Sequence, residues 1–356
     1  MAAKVSSFAV HSLGYPLALL SEIVDGVAGR RKPNFEISLS AVGLQPTLSV
    51  SFGPGGFNMA YTGGSLRVIE QNPAVFSRAV FMGSSTGSVI ACCACAGVPR
   101  DKLAEIMGAF NEGFRQLGRQ GFTSLIELLG KVLLEHLPND AHTKCTGRLV
   151  VAFTSLRFGC PGWRTAVGAA VALLLANPIA SPIVSGTIAW TCCLLALLVV
   201  LAGGVQKNAS FVSSFESKKD LVNAILCSCS MPLVQDKYPL RRSSDFTPTS
   251  TSCAGSVEWT IDASFSLRHA VLARIEHVGE TIAIDWDVKA AAASRDLRTC
   301  SGVVRTSTPP VVIHPERQLP SRIVDPPDAA EIAALLDAGA RDFETHLVGV
   351  GLLLPP

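Results

Sequence analysis

Apolar and polar residues alternate through Pro46-Thr-Leu-Ser-Val-Ser-Phe52, the period-two pattern of a strand. The strand runs straight into Gly53-Pro-Gly-Gly-Phe57, and Leu66, Val68 and Ile69 mark a helix beyond it. Ser77 to Met82 reads as a second, buried strand. It enters Gly83-Ser-Ser-Thr-Gly87, and the small-residue run Ser88 to Ala94 reads as a helix. Across residues 100–136, Leu103, Ile106, Met107, Phe110 and Phe114 fall near helical spacing. Leu149 to Phe153 is a third strand, Lys218 to Leu226 a helix, Val257 to Ile261 a strand, and Ala329 to His346 a closing helix after Pro326-Pro-Asp328. Strand, glycine turn and helix, twice over, predict an α/β fold in which helices flank a central, mostly parallel or mixed sheet. Residues 1–45 read as an amphipathic lead-in with a helix over Leu17–Val24. Residues 239–255 read as a surface loop, and 303–325 as extended and proline-punctuated.

One segment breaks the rhythm. No charged residue occurs from Thr165 to Gln206, and Ile183 to Ala202 alone has the length of a membrane span, about 20 apolar residues. Residues 165–206 therefore read as a hydrophobic helical insertion into a domain spanning 46–350. Composition agrees with an affinity for lipid: 48% of the 356 residues are hydrophobic and only 16% charged. A net charge of +2 gives no broad basic surface, which argues against nucleic acid as a partner. The eleven cysteines, an odd number, do not suit a disulfide framework, and the pairs Cys93/Cys95 and Cys227/Cys229 have no histidine at a zinc-site spacing. They read as buried, reduced thiols in an intracellular protein. The N-terminus lacks a signal peptide of the usual plan, and organelle targeting stays open.

The chemistry concentrates in the two glycine turns. Gly83-Ser-Ser-Thr-Gly87 fits a nucleophile elbow: small residues flank a serine on a sharp turn between strand and helix, lifting Ser85 toward solvent. In Gly53-Pro-Gly-Gly56, the consecutive N–H groups of Gly55 and Gly56 could form an oxyanion hole; Pro54 has no N–H to give. No Lys-Ser/Thr follows, so a P-loop is excluded. A hydroxyl nucleophile needs a neighbouring proton acceptor. Asp262, just past the strand ending at Ile261, is one candidate; His269, His277, His314 and His346 could instead complete a Ser–His–Asp triad.

These residues resemble the patatin-like phospholipase family, most closely its branch of animal triacylglycerol lipases and acylglycerol transacylases. Leu48 to Phe57 with Tyr61 and Gly64 is similar to the family's glycine-rich oxyanion segment, and Gly83 to Gly87 to its serine elbow. Leu137 to His142 with Gly147 to Thr154, Ser214 to Leu221, Cys227-Ser-Cys-Ser-Met-Pro232, and Pro326 to Asp342 resemble further family segments. The resemblance implies a patatin-like three-layer fold and a Ser–Asp dyad of Ser85 and Asp262, with Gly55 and Gly56 as the oxyanion hole. It implies cleavage of fatty acyl esters through an acyl-serine intermediate, with no metal or cofactor. The substrate would be a glycerolipid or phospholipid, met at a membrane or lipid-droplet surface. The chain departs from the family pattern at Pro54, at Ser84 and Thr86, and at Asp262-Ala-Ser264 where Asp-Gly-Gly is usual. Two other readings stand beside the hydrolase: a Ser–His–Asp esterase, and a catalytically impaired lipid-surface-binding relative. A topological condition applies to the dyad. Ser85 and Asp262 flank the insertion, so it must cross a bilayer an even number of times: a hairpin turning near Asn177-Pro178, a re-entrant segment, or a stretch wrongly included from the gene.

Overall fold

The computed structural model describes residues 36–37, 48–118, 124–158, 205–230, 241–242, 259–262, 274–275, 280–284, 311–315, 319 and 326–354. The backbone divides into two units. One comprises 1–32 and 156–208, of which only the ends of two strands are described; the other comprises 33–155 and 209–356. The helix expected over Leu17–Val24, residues 165–204 of the expected insertion and the loop 239–255 (apart from a two-residue strand, Arg241–Arg242) lie outside the described residues; the last two insertion residues, Val205 and Gln206, belong to a strand.

The strands, in chain order, are β1 (Glu36–Ile37), β2 (Leu48–Phe52), β3 (Val80–Ser84), β4 (Leu149–Phe158), β5 (Val205–Val212), β6 (Arg241–Arg242), β7 (Trp259–Ile261), β8 (Arg274–Ile275), β9 (Glu280–Ile284) and β10 (Val311–Ile313). An eight-stranded sheet has the order β10-β9-β2-β3-β4-β7-β6, with β5 paired to β4; β1 and β8 form a separate parallel pair. From β10 to β4 all pairings are parallel, while β6 and β7 are antiparallel, so the sheet is mixed. All five residues of β2 and of β3 are buried, as a parallel sheet covered on both faces requires.

The helices are α1 (Met59–Gly63), α2 (Ser65–Gln71), α3 (Pro73–Phe76), α4 (Thr86–Ala96), α5 (Arg100–Leu117), α6 (Leu125–His136), α7 (Ala141–Cys145), α8 (Lys218–Cys229) and α9 (Ala329–Gly349). They flank the sheet and complete a three-layer α/β fold. Two N-termini show why the chain turns helical where it does. Ser217 Oγ accepts the Asp220 N–H of α8 at 3.1 Å, and Asp328 and Glu331 form a reciprocal capping box on α9. The α5 face read from helical spacing is the buried one: Leu103, Ile106, Met107, Phe110 and Phe114 all enter the core. Arg115 and Asn111 of α5 donate to the Pro327 carbonyl at 3.0 and 2.9 Å and hold the start of α9.

The sequence expectation differs from the fold in three places. The second strand begins at Val80 rather than Ser77, because Pro73 starts a helical turn and the N–H groups of Ser77 and Ala79 bond back to Pro73 and Phe76. The extended stretch 303–325 contains a true strand, β10. Its partner β9, which the reading along the chain passed over, lies between β10 and β2. Both are short, and their hydrogen-bonding partners are remote in sequence.

The six described cysteines are buried free thiols. Burial pushes the Cys93 thiol up to about 12, and Cys95 is held well above its ordinary range by its hydrogen bond with Cys145 and by burial. At pH 8 both stay protonated and unreactive in the folded chain. Iodoacetamide followed by peptide mass spectrometry should leave Cys93 and Cys95 unmodified in native protein and label them after unfolding in urea. A second expectation concerns the crossing of α1 and α9, where a Cβ at Gly339 would collide with the Tyr61 carbonyl and one at Gly64 with the Leu336 carbonyl. Gly339→Val should cost about 3 kcal/mol, read as a lowered urea midpoint with little change in slope.

Candidate active site

The C-terminal ends of β9, β2 and β3 lie level in register: Phe52 stands opposite both Ile284 and Gly83. The two glycine turns therefore leave the sheet side by side at one edge, where open parallel sheets bind ligands. From β2, the Gly53 N–H extends the ladder to the Ile284 carbonyl at 3.0 Å. Gly56 then takes φ +52°, a left-handed conformation that favours glycine, and a short 3-10 turn follows over Gly56–Asn58. Phe57 anchors this loop. Its ring is buried against Phe110 and Phe114 of α5, at centroid distances of 5.8 and 5.5 Å.

From β3, the chain reaches Ser85 at φ 51°, ψ −134°, and α4 begins at Thr86. Ser85 is the one non-glycine residue with positive φ among the described residues. Strain of this kind costs about 1–3 kcal/mol and persists only where its surroundings enforce it. Here they do. A Cβ at Gly83 would strike Ser88, and one at Gly87 would strike the carbonyls of Phe52 and Gly53. Both glycines of Gly-Ser-Ser-Thr-Gly are therefore steric requirements, because they let α4 start directly against the ends of β2 and β3. Ser88 closes the turn, its N–H and hydroxyl both donating to the Ser85 carbonyl at 2.9 and 2.6 Å. Ser85 and Thr86 remain half-exposed while the residues around them are buried.

The two turns are also bonded to each other, since the Gly55 N–H donates to Thr86 Oγ1 at 3.1 Å. In the unliganded chain one of the two amides singled out for an oxyanion is thus already engaged by a neutral hydroxyl. In sequence, Thr86 is only a departure from the family pattern at the elbow.

Asp262 follows β7 and is 2% exposed. Its N–H donates to the Ser230 carbonyl at 2.7 Å, and its carbonyl accepts Thr154 Oγ1 of β4 at 2.9 Å. In strand order β4 separates β3 from β7, so Ser85 and Asp262 each follow a strand that neighbours β4. The end of α8 reaches both. Ser228 Oγ accepts the Ser85 N–H at 2.8 Å and donates to the Ala152 carbonyl of β4 at 2.5 Å, and Ser230 holds Asp262. Reading for nucleophiles, bases and glycine loops missed Ser228, Ser230 and Thr154. Their signal in sequence is faint: small hydroxyl residues inside buried apolar runs, each of which must find a partner.

Two of the four candidate histidines are described. His314 spends Nδ1 on the Pro315 carbonyl at 3.0 Å, and His346 spends Nδ1 on the Asp342 carbonyl of its own helix at 2.9 Å. His269 and His277 lie outside the described residues, as do Ala263 and Ser264. Among the described residues, no group of three His, Cys, Asp or Glu side chains could hold a metal ion, and no helix is long and apolar enough to cross a membrane.

A serine at positive φ where a parallel strand turns into a helix, its neighbour Thr86 bonded to a glycine loop on the adjacent strand, has the geometry of a nucleophile elbow. More particularly, the chain belongs to the patatin-like phospholipase family, whose model matches residues 50–250, more than half of its length. Membership sets the general chemistry as that of a lipid acyl hydrolase and the substrate class as lipid. Among solved structures, the chain is similar to VipD from Legionella pneumophila, at 9% identity and a TM-score of 0.37, over 86% of this chain and 67% of that one. No curated protein matches the sequence.

The contact between the turns can be tested alone. Thr86→Val keeps the branched shape and removes the acceptor of the Gly55 N–H. It should cost about 1 kcal/mol in urea unfolding and speed deuterium exchange at the Gly55 amide.

Proposed function

We propose that the protein is a fatty acyl ester hydrolase in which Ser85 is the nucleophile and Asp262 its base. The observation that carries this reading is the strained Ser85 turn, at φ 51°, in register beside the Gly53–Gly56 loop. Close packing of the following helix on β2 and β3 holds the backbone in this turn, and the side chain it lifts to half-exposure is a hydroxyl. In acylation, Ser85 Oγ attacks the ester carbonyl carbon and its proton passes to the Asp262 carboxylate. Electron density moves onto the carbonyl oxygen, giving an oxyanion that faces the Gly55 and Gly56 N–H groups and the N-terminus of α4. Collapse breaks the bond to the leaving alcohol, which takes the proton from Asp262. A water then repeats the sequence: it gives a proton to Asp262, attacks the acyl carbon, and releases the fatty acid as Ser85 regains its proton. No metal or cofactor enters. The substrate is a neutral glyceride or a phospholipid, and the low charge content together with the 165–206 apolar segment supports work at a membrane or lipid-droplet surface.

One observation favours the second reading, a lipid-surface protein with an impaired site. Because the Gly55 N–H is bonded to Thr86 Oγ1, the oxyanion must displace that hydroxyl before both amides can serve. A charged acceptor makes the stronger hydrogen bond, so the exchange is favourable on the hydrolase reading.

Hydrolysis of p-nitrophenyl butyrate should fall by about 1,000-fold or more in Ser85→Ala and in Asp262→Asn, each with a wild-type circular dichroism spectrum. A fluorophosphonate should label wild type at Ser85 and leave Ser85→Ala unlabelled. Absent labelling of wild type, with binding to lipid vesicles intact, would select the second reading. Full activity of Asp262→Asn would remove the dyad.

A further inference from the structure

Ser228 is fully buried in the last turn of α8. Its hydroxyl makes two bonds: it accepts the Ser85 N–H at 2.8 Å and donates to the Ala152 carbonyl at 2.5 Å. Both contacts converge on one place, because Ala152 is the β4 residue paired with Ser84. The Ser85 N–H needs such a partner. At positive φ, between the last residue of a strand and the first of a helix, it belongs to neither ladder and needs a partner from elsewhere. Two residues further on, the Ser230 carbonyl accepts the Asp262 N–H at 2.7 Å. A three-residue piece of main chain, Ser228-Cys229-Ser230, thus grips the backbone of the nucleophile at one end and that of the acid at the other.

We infer that Ser228 is a positioning residue. Through its bond to the Ser85 N–H it fixes the elbow's φ, and with it the direction of Ser85 Oγ toward Asp262, while Ser230 sets the acid against the same brace. The inference rests on the Ser85–Asp262 reading of the site and deepens it. Ser228 touches no reacting atom. It acts by restricting the nucleophile's backbone, so its loss should lower turnover more than substrate affinity. The same bond uses up the Ser85 N–H, which leaves the oxyanion to the glycine loop and to α4.

The experiment compares wild type, Ser228→Ala, Ser228→Cys, Ser85→Ala and Asp262→Asn in the full-length chain. Active sites are counted by complete labelling with a fluorophosphonate, and p-nitrophenyl butyrate kinetics are then expressed per labelled site. Ser228→Ala should lose about 10- to 100-fold in kcat per site with KM within about threefold, the signature of a misaimed nucleophile. Ser228→Cys keeps the volume with a weaker acceptor, should lose less, and supplies the measurement should the alanine variant fail to fold. A merely structural role predicts a lower melting temperature with kcat per site unchanged in both variants, and that result overturns the inference. If it occurs while Ser85→Ala and Asp262→Asn are dead, only the role of Ser228 falls. If Ser85→Ala or Asp262→Asn retains wild-type turnover, the dyad reading falls and takes this inference with it.

Discussion

How closely α4 can approach the ends of β2 and β3 governs the rest of the site. Any side chain at Gly83 or Gly87 would fill the space between the helix start and the strand carbonyls. With glycine at both positions the helix begins one residue after Ser85. The chain passes from extended to helical within that residue, at φ 51°, ψ −134°. Ser85's exposure, the closeness of the Gly53–Gly56 loop and the bond from Gly55 to Thr86 all follow from the same tight turn. Conformational strain at Ser85 is thus the local cost of a close packing that stabilises the layer as a whole.

Around that turn, buried hydroxyls satisfy main-chain groups that the regular ladders leave over. Ser88 bonds the Ser85 carbonyl, Ser228 the Ser85 N–H, and Thr154 the Asp262 carbonyl. Serine and threonine suit this work because they offer a donor and an acceptor in little volume, so helix and sheet stay close. The ends of β3, β4, β7 and α8 are linked through such contacts. Ion pairs such as Arg100 with Asp337 and Lys144 with Asp140 lie on exposed or half-exposed faces.

Family membership and geometry bear on different parts of the account. The match over residues 50–250 establishes the lipid acyl hydrolase class. The local arrangement supplies what a family description does not: the occupied Gly55 amide, the anchoring of its loop by Phe57, and the brace from α8. Thr86 illustrates the difference. As a letter in a motif it is a departure from the family pattern, but in the fold its hydroxyl ties the glycine loop to the elbow.

Short-range patterns were enough to read β2, β3, α5, α8 and α9, because alternation, helical spacing and capping residues are properties of neighbours in the chain. They were also enough to single out Ser85 and the glycine loop, since a sharp strand-to-helix turn demands small residues at known offsets. Strands β9 and β10 escaped that reading: segments of five and three residues carry little periodicity of their own and become strands through partners remote in sequence. Asp262 was chosen by its place after a strand, and its burial and backbone partners come from elements about 30 and 110 residues away. What the polymer alone determines is where the backbone can turn tightly and which hydroxyl stands at the turn. Which distant segment supplies the hydrogen bonds that hold that hydroxyl's backbone was decided only by the sheet order, because buried polar groups are satisfied by whatever the assembled fold brings beside them.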